Sequence, residues 1–201
     1  MAINIHTHRE CPICGTHESE LICPIDFERI VDSLPIHYDI VTCRKCGMVF
    51  NDTSAQEADF DRYYSSLSKY DAQNIVGGGN ISATEKKRYQ RIYNFIQPYI
   101  KKNHFCVDIG CGQGGLLATM QDYGHDKLLG IDPSPHCVEL MRNNGIEAKV
   151  GTLARLPDFD NCDLLLLVGV LEHLFNPQTD LQNALNRCKD STYVLIGVPE
   201  S

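Results

Sequence analysis

The chain has 201 residues, 43% hydrophobic and 22% charged, which excludes a disordered tail or a fibrous repeat and leaves room for one domain with a small module. Lys and Arg number 18 against 26 Asp and Glu, a net charge of −8, and that balance argues against a nucleic-acid partner, because phosphate neutralisation supplies most of such affinity. No apolar run is long enough for a membrane span, the start MAINIHTHRECPICG lacks the apolar core of a secretion signal, and the ten cysteines are then expected to be metal ligands or buried thiols in a reducing, cytoplasmic setting.

Four cysteines form two pairs, Cys11-x-x-Cys14 and Cys43-x-x-Cys46, each followed by a glycine, Gly15 and Gly47. The two-residue spacing lets both thiolates of a pair face one ion across a tight turn. The glycine tolerates the positive φ that keeps backbone amides near sulfur. Together they predict a closed, tetrahedral, structural Zn²⁺ site in a zinc-ribbon-like module over residues 1–50. The 28 residues between the pairs (positions 15–42) exceed the usual spacing of roughly 15–20 and call for an intervening hairpin. A four-thiolate site has no open coordination position, so it supplies folding energy to a segment too short for a large core, and no catalysis. The bland alternative is four buried thiols that never meet. Cys23 is a weaker ligand candidate, and His6, His8 and His17 lie off-pattern and read as solvated.

Residues 51–82 read as a connector with Tyr63, Tyr64 and Tyr70 and the run Gly77-Gly78-Gly79. That composition fits a hinge or lid, with a plain linker as the alternative. A helix is predicted over 84–100, with Thr84 as N-cap. Tyr89, Ile92, Tyr93, Ile96 and Ile100 recur on one face, and Lys86, Lys87, Arg88 and Arg91 lie on the outer face. From 104 onward strands and helices alternate. Strands are expected at 104–109, 127–131, 146–150, 163–168 and 193–198, and helices at 116–123, 136–144 and 181–188. Such alternation means βαβ units and a doubly wound parallel sheet, an α/β Rossmann-like domain over 83–201.

The first of these strands runs into Asp108-Ile109-Gly110-Cys111-Gly112-Gln113-Gly114-Gly115, and Asp132 ends the second. Glycines allow close backbone approach to a ligand, and an acid at the second strand end can accept both hydroxyls of a ribose. Gly110-x-Gly112-x-x-Gly115 also satisfies the dinucleotide fingerprint. Asp108 decides against it, since a carboxylate beside the loop repels a pyrophosphate and suits a cation such as the sulfonium or ammonium of S-adenosylmethionine.

The series VDIGCGQGG, GIDPS, DLLLLVGVLEHL and VLIGVP resembles the motifs of class I S-adenosylmethionine-dependent methyltransferases over residues 84–199. The front end, with CRKCGMVF and YYSSLSKY, resembles more loosely a bacterial subgroup that includes nucleotide-sugar C-methyltransferases and related small-molecule enzymes. The resemblance implies that Asp108 and the backbone of Gly110, Cys111 and Gly112 hold the methionine part. It implies that Asp132 binds the ribose, Pro133 flanks the adenine, and Gly169 and Val170 wall the sulfonium. The family often carries an acid after the third strand. Here Thr152 or the Leu153 backbone takes its place. Leu171-Glu172-His173 is expected to start the following helix, and His173, Glu172, Tyr64 and Tyr70 are the candidate bases. For Glu172 and His173, helix capping and packing is the equal alternative.

The implied reaction is methyl transfer to a small molecule, such as a nucleotide-linked sugar or another cell-envelope or natural-product precursor. The N/D-P-P-Y signature of base N-methylation is absent after the fourth strand, and the Pro-Cys of cytosine C5 chemistry is absent as well. The alternatives are a zinc-containing RNA methyltransferase, a non-catalytic donor-binding or interaction module, and a dinucleotide-dependent oxidoreductase. The family sheet has seven strands and only five are visible here. A fragment of a longer enzyme, or a sheet edge completed by another chain in a homo-oligomer, is expected.

Overall fold

A computed structural model describes residues 3–26, 34–66 and 81–199. Two compact units are present, Met1–Tyr64 with Phe175–Gln178, and Ser65–Leu174 with Thr179–Ser201. No helix among the described residues is long and apolar enough to cross a membrane.

The first unit is built on four antiparallel strands in sequential order, β1 (Ile3–His6), β2 (Glu18–Asp26), β3 (His37–Cys43) and β4 (Val49–Asp52), followed by helix α1 (Glu57–Ser66). β2 and β3 pair between the two cysteine knuckles, which is how the long spacing is absorbed. Its core is small: Cys11, Val41, Cys43 and Phe50, flanked by Ile5, Cys14, Leu21 and Met48. Asp52, 2% exposed, accepts the amides of His8 at 2.9 Å and Arg9 at 3.0 Å. Those bonds pin the loop that leads from β1 into Cys11.

The second unit holds a five-stranded all-parallel sheet. Its strands are β5 (Cys106–Ile109), β6 (Leu128–Asp132), β7 (Glu147–Val150), β8 (Cys162–Val168) and β9 (Cys188–Gly197). The spatial order is β7-β6-β5-β8-β9. The order reverses between β5 and β8, and ligands of open α/β sheets bind at the carboxyl ends of strands flanking such a switch. The central strands are apolar on both faces, as burial beneath two helical layers requires. Cys106, Leu164 and Leu166 join a core with Tyr93 and Ile96 of α2 (Ala83–Ile96), Leu117 and Met120 of α3 (Gly115–Asp122), and Met141 of α4 (Pro135–Asn143). Val107, Ile109, Leu165 and Leu167 face the opposite core with Leu153, Phe159 and Ala184 of α5 (Pro177–Leu185). β9 is an edge strand on which Tyr193, Val194 and Ile196 are exposed.

Element boundaries differ from expectation for local reasons. Helix α2 is capped by Ser82, not Thr84. The Ser82 hydroxyl accepts the Glu85 amide at 3.2 Å and the Glu85 carboxylate accepts the Ser82 amide at 3.0 Å, a reciprocal capping box that satisfies two end amides at once. The helix stops at Ile96, before Pro98, and continues as a 3-10 turn, since proline lacks the amide an α-turn needs. Helix α5 begins at Pro177, four residues early, because proline's fixed φ suits a first turn. The Leu171–His173 stretch is a separate 3-10 turn and does not start α5.

Candidate functional site

The loop between β5 and α3 is shaped by positive φ at Gly110 (70°), Gly112 (55°) and Gly114 (76°), a conformation in which a Cβ clashes with the chain. At Gly110 the space is also filled: a Cβ there would sit 2.6 Å from Val170 Cγ2. The loop amides turn inward. Those of Gly110 and Cys111 donate to the Ile131 carbonyl at 2.8 and 3.3 Å, and that of Gly112 donates to Asp132 Oδ2 at 2.7 Å. Asp132 Oδ1 accepts the Ser134 amide at 2.9 Å, and the Ser134 hydroxyl in turn accepts the Cys137 amide at 3.3 Å as the α4 N-cap. One carboxylate thus ties the glycine loop to the start of α4.

Asp108 lies on β5 with 4% exposure, and Asp132 ends β6 with 6%. Burial, then the nearby Asp132 charge, pushes the Asp108 carboxyl up to about 8. Two desolvated acids together favour a cationic guest.

The remaining donor-site candidates are placed as follows. Cys111 turns its thiol inward, to the Ile131 carbonyl at 3.3 Å and Met141 Sδ at 3.5 Å, and burial pushes that thiol well above its ordinary value. Only its backbone is available to a ligand. Pro133 follows Asp132 and is half-buried. The Thr152 hydroxyl accepts the Arg155 amide at 3.1 Å, and the Thr152 amide bonds the Arg155 carbonyl. The Leu153 side chain is buried in the core, leaving its backbone. Gly169, at φ 73°, and Val170 follow β8, with Val170 against the Gly110 loop.

Among the catalytic candidates, Glu172 and His173 sit in the 3-10 turn after β8, with carboxylate and imidazole 3.9 Å apart. Tyr64 lies in α1 of the first unit, edge-on to Tyr63 at 5.1 Å. Tyr70 and the triple glycine lie outside the described residues.

Three residues near the loop were not assigned roles in the sequence. Ser134 supports Asp132 through the D-P-S spacing. Gly130 is required because a Cβ would meet Met141 Sδ at 2.6 Å and Cys111 Sγ at 2.9 Å. Tyr89 of α2 packs its ring against Gly115 at the loop exit. Ser134 carries a readable signal, a hydroxyl before a proline at a helix start, and Tyr89 lies on the helix face that the apolar spacing marks as packed.

In the first unit the Sγ atoms of Cys11, Cys14, Cys43 and Cys46 all lie within 4.8 Å of one another. The shortest approaches join the knuckles crosswise, Cys11 to Cys46 at 3.6 Å and Cys14 to Cys43 at 3.5 Å. Four thiolates around Zn²⁺ at ~2.3 Å stand ~3.8 Å apart in a tetrahedron, so the cluster has the size of that ion's shell. The knuckles repeat one hydrogen-bond pattern. Gly15 and Gly47 donate to the Cys11 and Cys43 carbonyls, and the Cys11 and Cys43 amides donate to Thr16 and Met48. Burial raises the Cys43 thiol, yet amide donation from Cys46 and Lys45 and the neighbouring thiols outweigh it and bring it to about 6.

Comparison with known proteins follows the second unit. Residues 82–201 match a family described as a methyltransferase domain. The tRNA U34 carboxymethyltransferase of Shewanella frigidimarina is 32% identical over 100 residues, 45% of this chain and 29% of that protein. Ribosomal protein L11 methyltransferase of Thermosipho africanus is 30% identical over 112 residues, 53% of this chain and 42% of that one. The chain therefore spans less than half the length of these relatives. Among solved structures, magnesium protoporphyrin IX methyltransferase from Synechocystis PCC 6803, with bound SAH, superposes with a TM-score of 0.53 at 15% identity, over 67% of this chain and 68% of that one; this is a likeness of fold. With the family match covering well over half of the chain and a five-stranded parallel sheet beneath it, the chain belongs to the methyltransferase domain family of class I S-adenosylmethionine-dependent enzymes.

Proposed function

We propose that the second unit binds S-adenosylmethionine at the carboxyl ends of β5 and β6 and serves methyl transfer to a small-molecule acceptor. One observation carries this: Asp108 and Asp132, both buried, frame a glycine loop whose first three amides are already spent on β6. Amides turned inward offer a pyrophosphate little, whereas the buried acids need positive charge. The donor brings an already activated methyl group. In this reading the chain's residues orient it: Asp108 holds the ammonium, the remaining lone pairs of Asp132 take ribose hydroxyls, and Pro133 flanks the adenine. The Leu153 backbone meets the adenine edge, since Thr152 is committed to its turn. Gly169 and Val170 wall the reacting end. His173 takes an acceptor proton, with Glu172 placed to stabilise the imidazolium. The cysteine cluster holds one structural Zn²⁺ and folds the first unit. The division into a metal module over 1–50, a connector over 51–82 and a donor-binding domain from 83 belongs to the same proposal, as do cytoplasmic residence and a nucleotide-linked sugar or similar precursor as acceptor.

Calorimetry with S-adenosylmethionine and, separately, with NAD tests the donor. Binding of the first and not the second is expected, and the reverse ends the reading. A nucleic-acid acceptor is the second reading. It is favoured by the tRNA-acting relative and by the exposed Lys86, Lys87, Arg88 and Arg91 on α2, against the overall charge of −8. Steeply salt-dependent RNA binding would move the assignment to it.

A further inference from the structure

Cys162 opens β8 and Cys188 opens β9, and the two are direct partners in the parallel ladder. Their Sγ atoms are 3.6 Å apart, and both are free thiols. Cys162 is fully buried, whereas Cys188 is partly exposed. Partners on adjacent strands stand ~4.8 Å apart, inside the ~4.4–6.8 Å Cα separation a disulfide spans. Reaching the ~2.05 Å sulfur–sulfur bond needs only a small approach. The ladder supplies that slack, because the register shifts directly after this pair. The pair lies at the amino ends of its strands, away from the donor-site loops, and it shares nothing with the four-cysteine cluster. The donor-site function uses neither thiol.

We propose that Cys162 and Cys188 are a modification site, a thiol pair that a hydroperoxide converts into an intramolecular disulfide joining β8 to β9. Cys188, the more exposed of the two, attacks the peroxide oxygen as its thiolate, forming a sulfenic acid and releasing an alcohol, or water from hydrogen peroxide. Cys162 then attacks the Cys188 sulfur, its thiol proton leaving with the displaced hydroxide as water. Two thiols are oxidised by two electrons and one peroxide bond is reduced. The bond ties positions 26 apart in sequence, an interval that holds the rest of β8, the Glu172–His173 turn and α5.

The test uses the full, metal-loaded chain treated with a small excess of hydrogen peroxide, then alkylated and mapped by mass spectrometry. A linked Cys162–Cys188 peptide is expected, about 2 Da lighter than its separated parts and released by dithiothreitol. The unfolding midpoint of the oxidised protein should exceed that of the reduced protein by roughly 5–10 °C. Cys188→Ser should show neither the link nor the shift. Cys162→Ala should accumulate a Cys188 sulfenic acid that dimedone traps. Recovery of both cysteines alkylated, or of Cys188 as a sulfinic acid without a link, overturns the proposal, as does oxidant-induced pairing of either with another cysteine. None of these readouts depends on methyl transfer.

Discussion

The Asp132 carboxylate accepts the Gly112 amide at 2.7 Å and the Ser134 amide at 2.9 Å, so one side chain at the end of β6 holds both the glycine loop and the entry to α4. Asp132→Ala leaves two amides without their acceptor. Losing charged hydrogen bonds in a buried site should cost roughly 2–4 kcal/mol of stability, read by chemical denaturation. Asp132→Asn keeps one oxygen acceptor and should recover about half of that. If both variants unfold like the parent, the carboxylate does not organise the loop.

In the proposed donor site, Asp108 should make binding pH-dependent. Its folded pKa is pushed above its unfolded value, up to about 8, by burial and by Asp132. A cationic donor needs the carboxylate, so each binding event below that pH expels a proton. Apparent affinity should rise about tenfold per unit as pH climbs toward 8. Calorimetry in buffers of different ionisation enthalpy counts the proton. For the free protein the sign reverses: the group's contribution to stability is full below its unfolded pKa and is lost as pH rises through about 8. Asp108→Asn should flatten both dependences and weaken donor binding at least roughly tenfold. A pH-independent affinity between about 6 and 8 would remove Asp108 from the site.

The sheet was legible because β8, with its Leu164–Leu167 run, and the glycine loop carry strong local signals, and strand and helix alternate at short spacing. The positions of Cys11, Cys14, Cys43 and Cys46 were legible for the same reason: knuckle spacing is a local property. What was not legible depends on contacts distant in sequence. Nothing near Cys111 says that its thiol points to Met141, and the Gly112 amide's partner lies 20 residues away. The Cys162–Cys188 pairing depends on a register that shifts within the ladder. The cap at Ser82 was readable, since Ser82-x-x-Glu85 is a capping box, and Thr84 simply competes with it by residue type.

The cysteine cluster predicts a metal-dependent fold for the first unit. Among the described residues its apolar cluster has four buried members, two of them Cys11 and Cys43, a small core of the kind that a bound ion supplements. Metal analysis after gel filtration should give about one zinc per chain. Chelation, or Cys43→Ala, should abolish amide protection across β2 and β3. A metal-free chain that keeps that protection would show the four thiols to be ordinary core residues.

Gly110 and Val170 give a prediction in two separable parts. A Cβ on residue 110 would lie 2.6 Å from Val170 Cγ2, and the backbone there has φ 70°. The clash belongs to the pair, whereas the dihedral strain belongs to residue 110 alone at about 1–2 kcal/mol. Gly110→Ala should therefore destabilise the second unit by roughly 2–4 kcal/mol. Val170→Ala removes the Cγ2 atom and leaves a small cavity costing about 1–2 kcal/mol. In the double variant the new methyl occupies space that valine vacated, so the two losses should be less than additive by about 1–2 kcal/mol, with the dihedral part remaining. Denaturant unfolding of all four proteins measures the cycle. Strict additivity would mean that the loop and the end of β8 do not touch, and that Val170 does not close the wall beside the glycine loop.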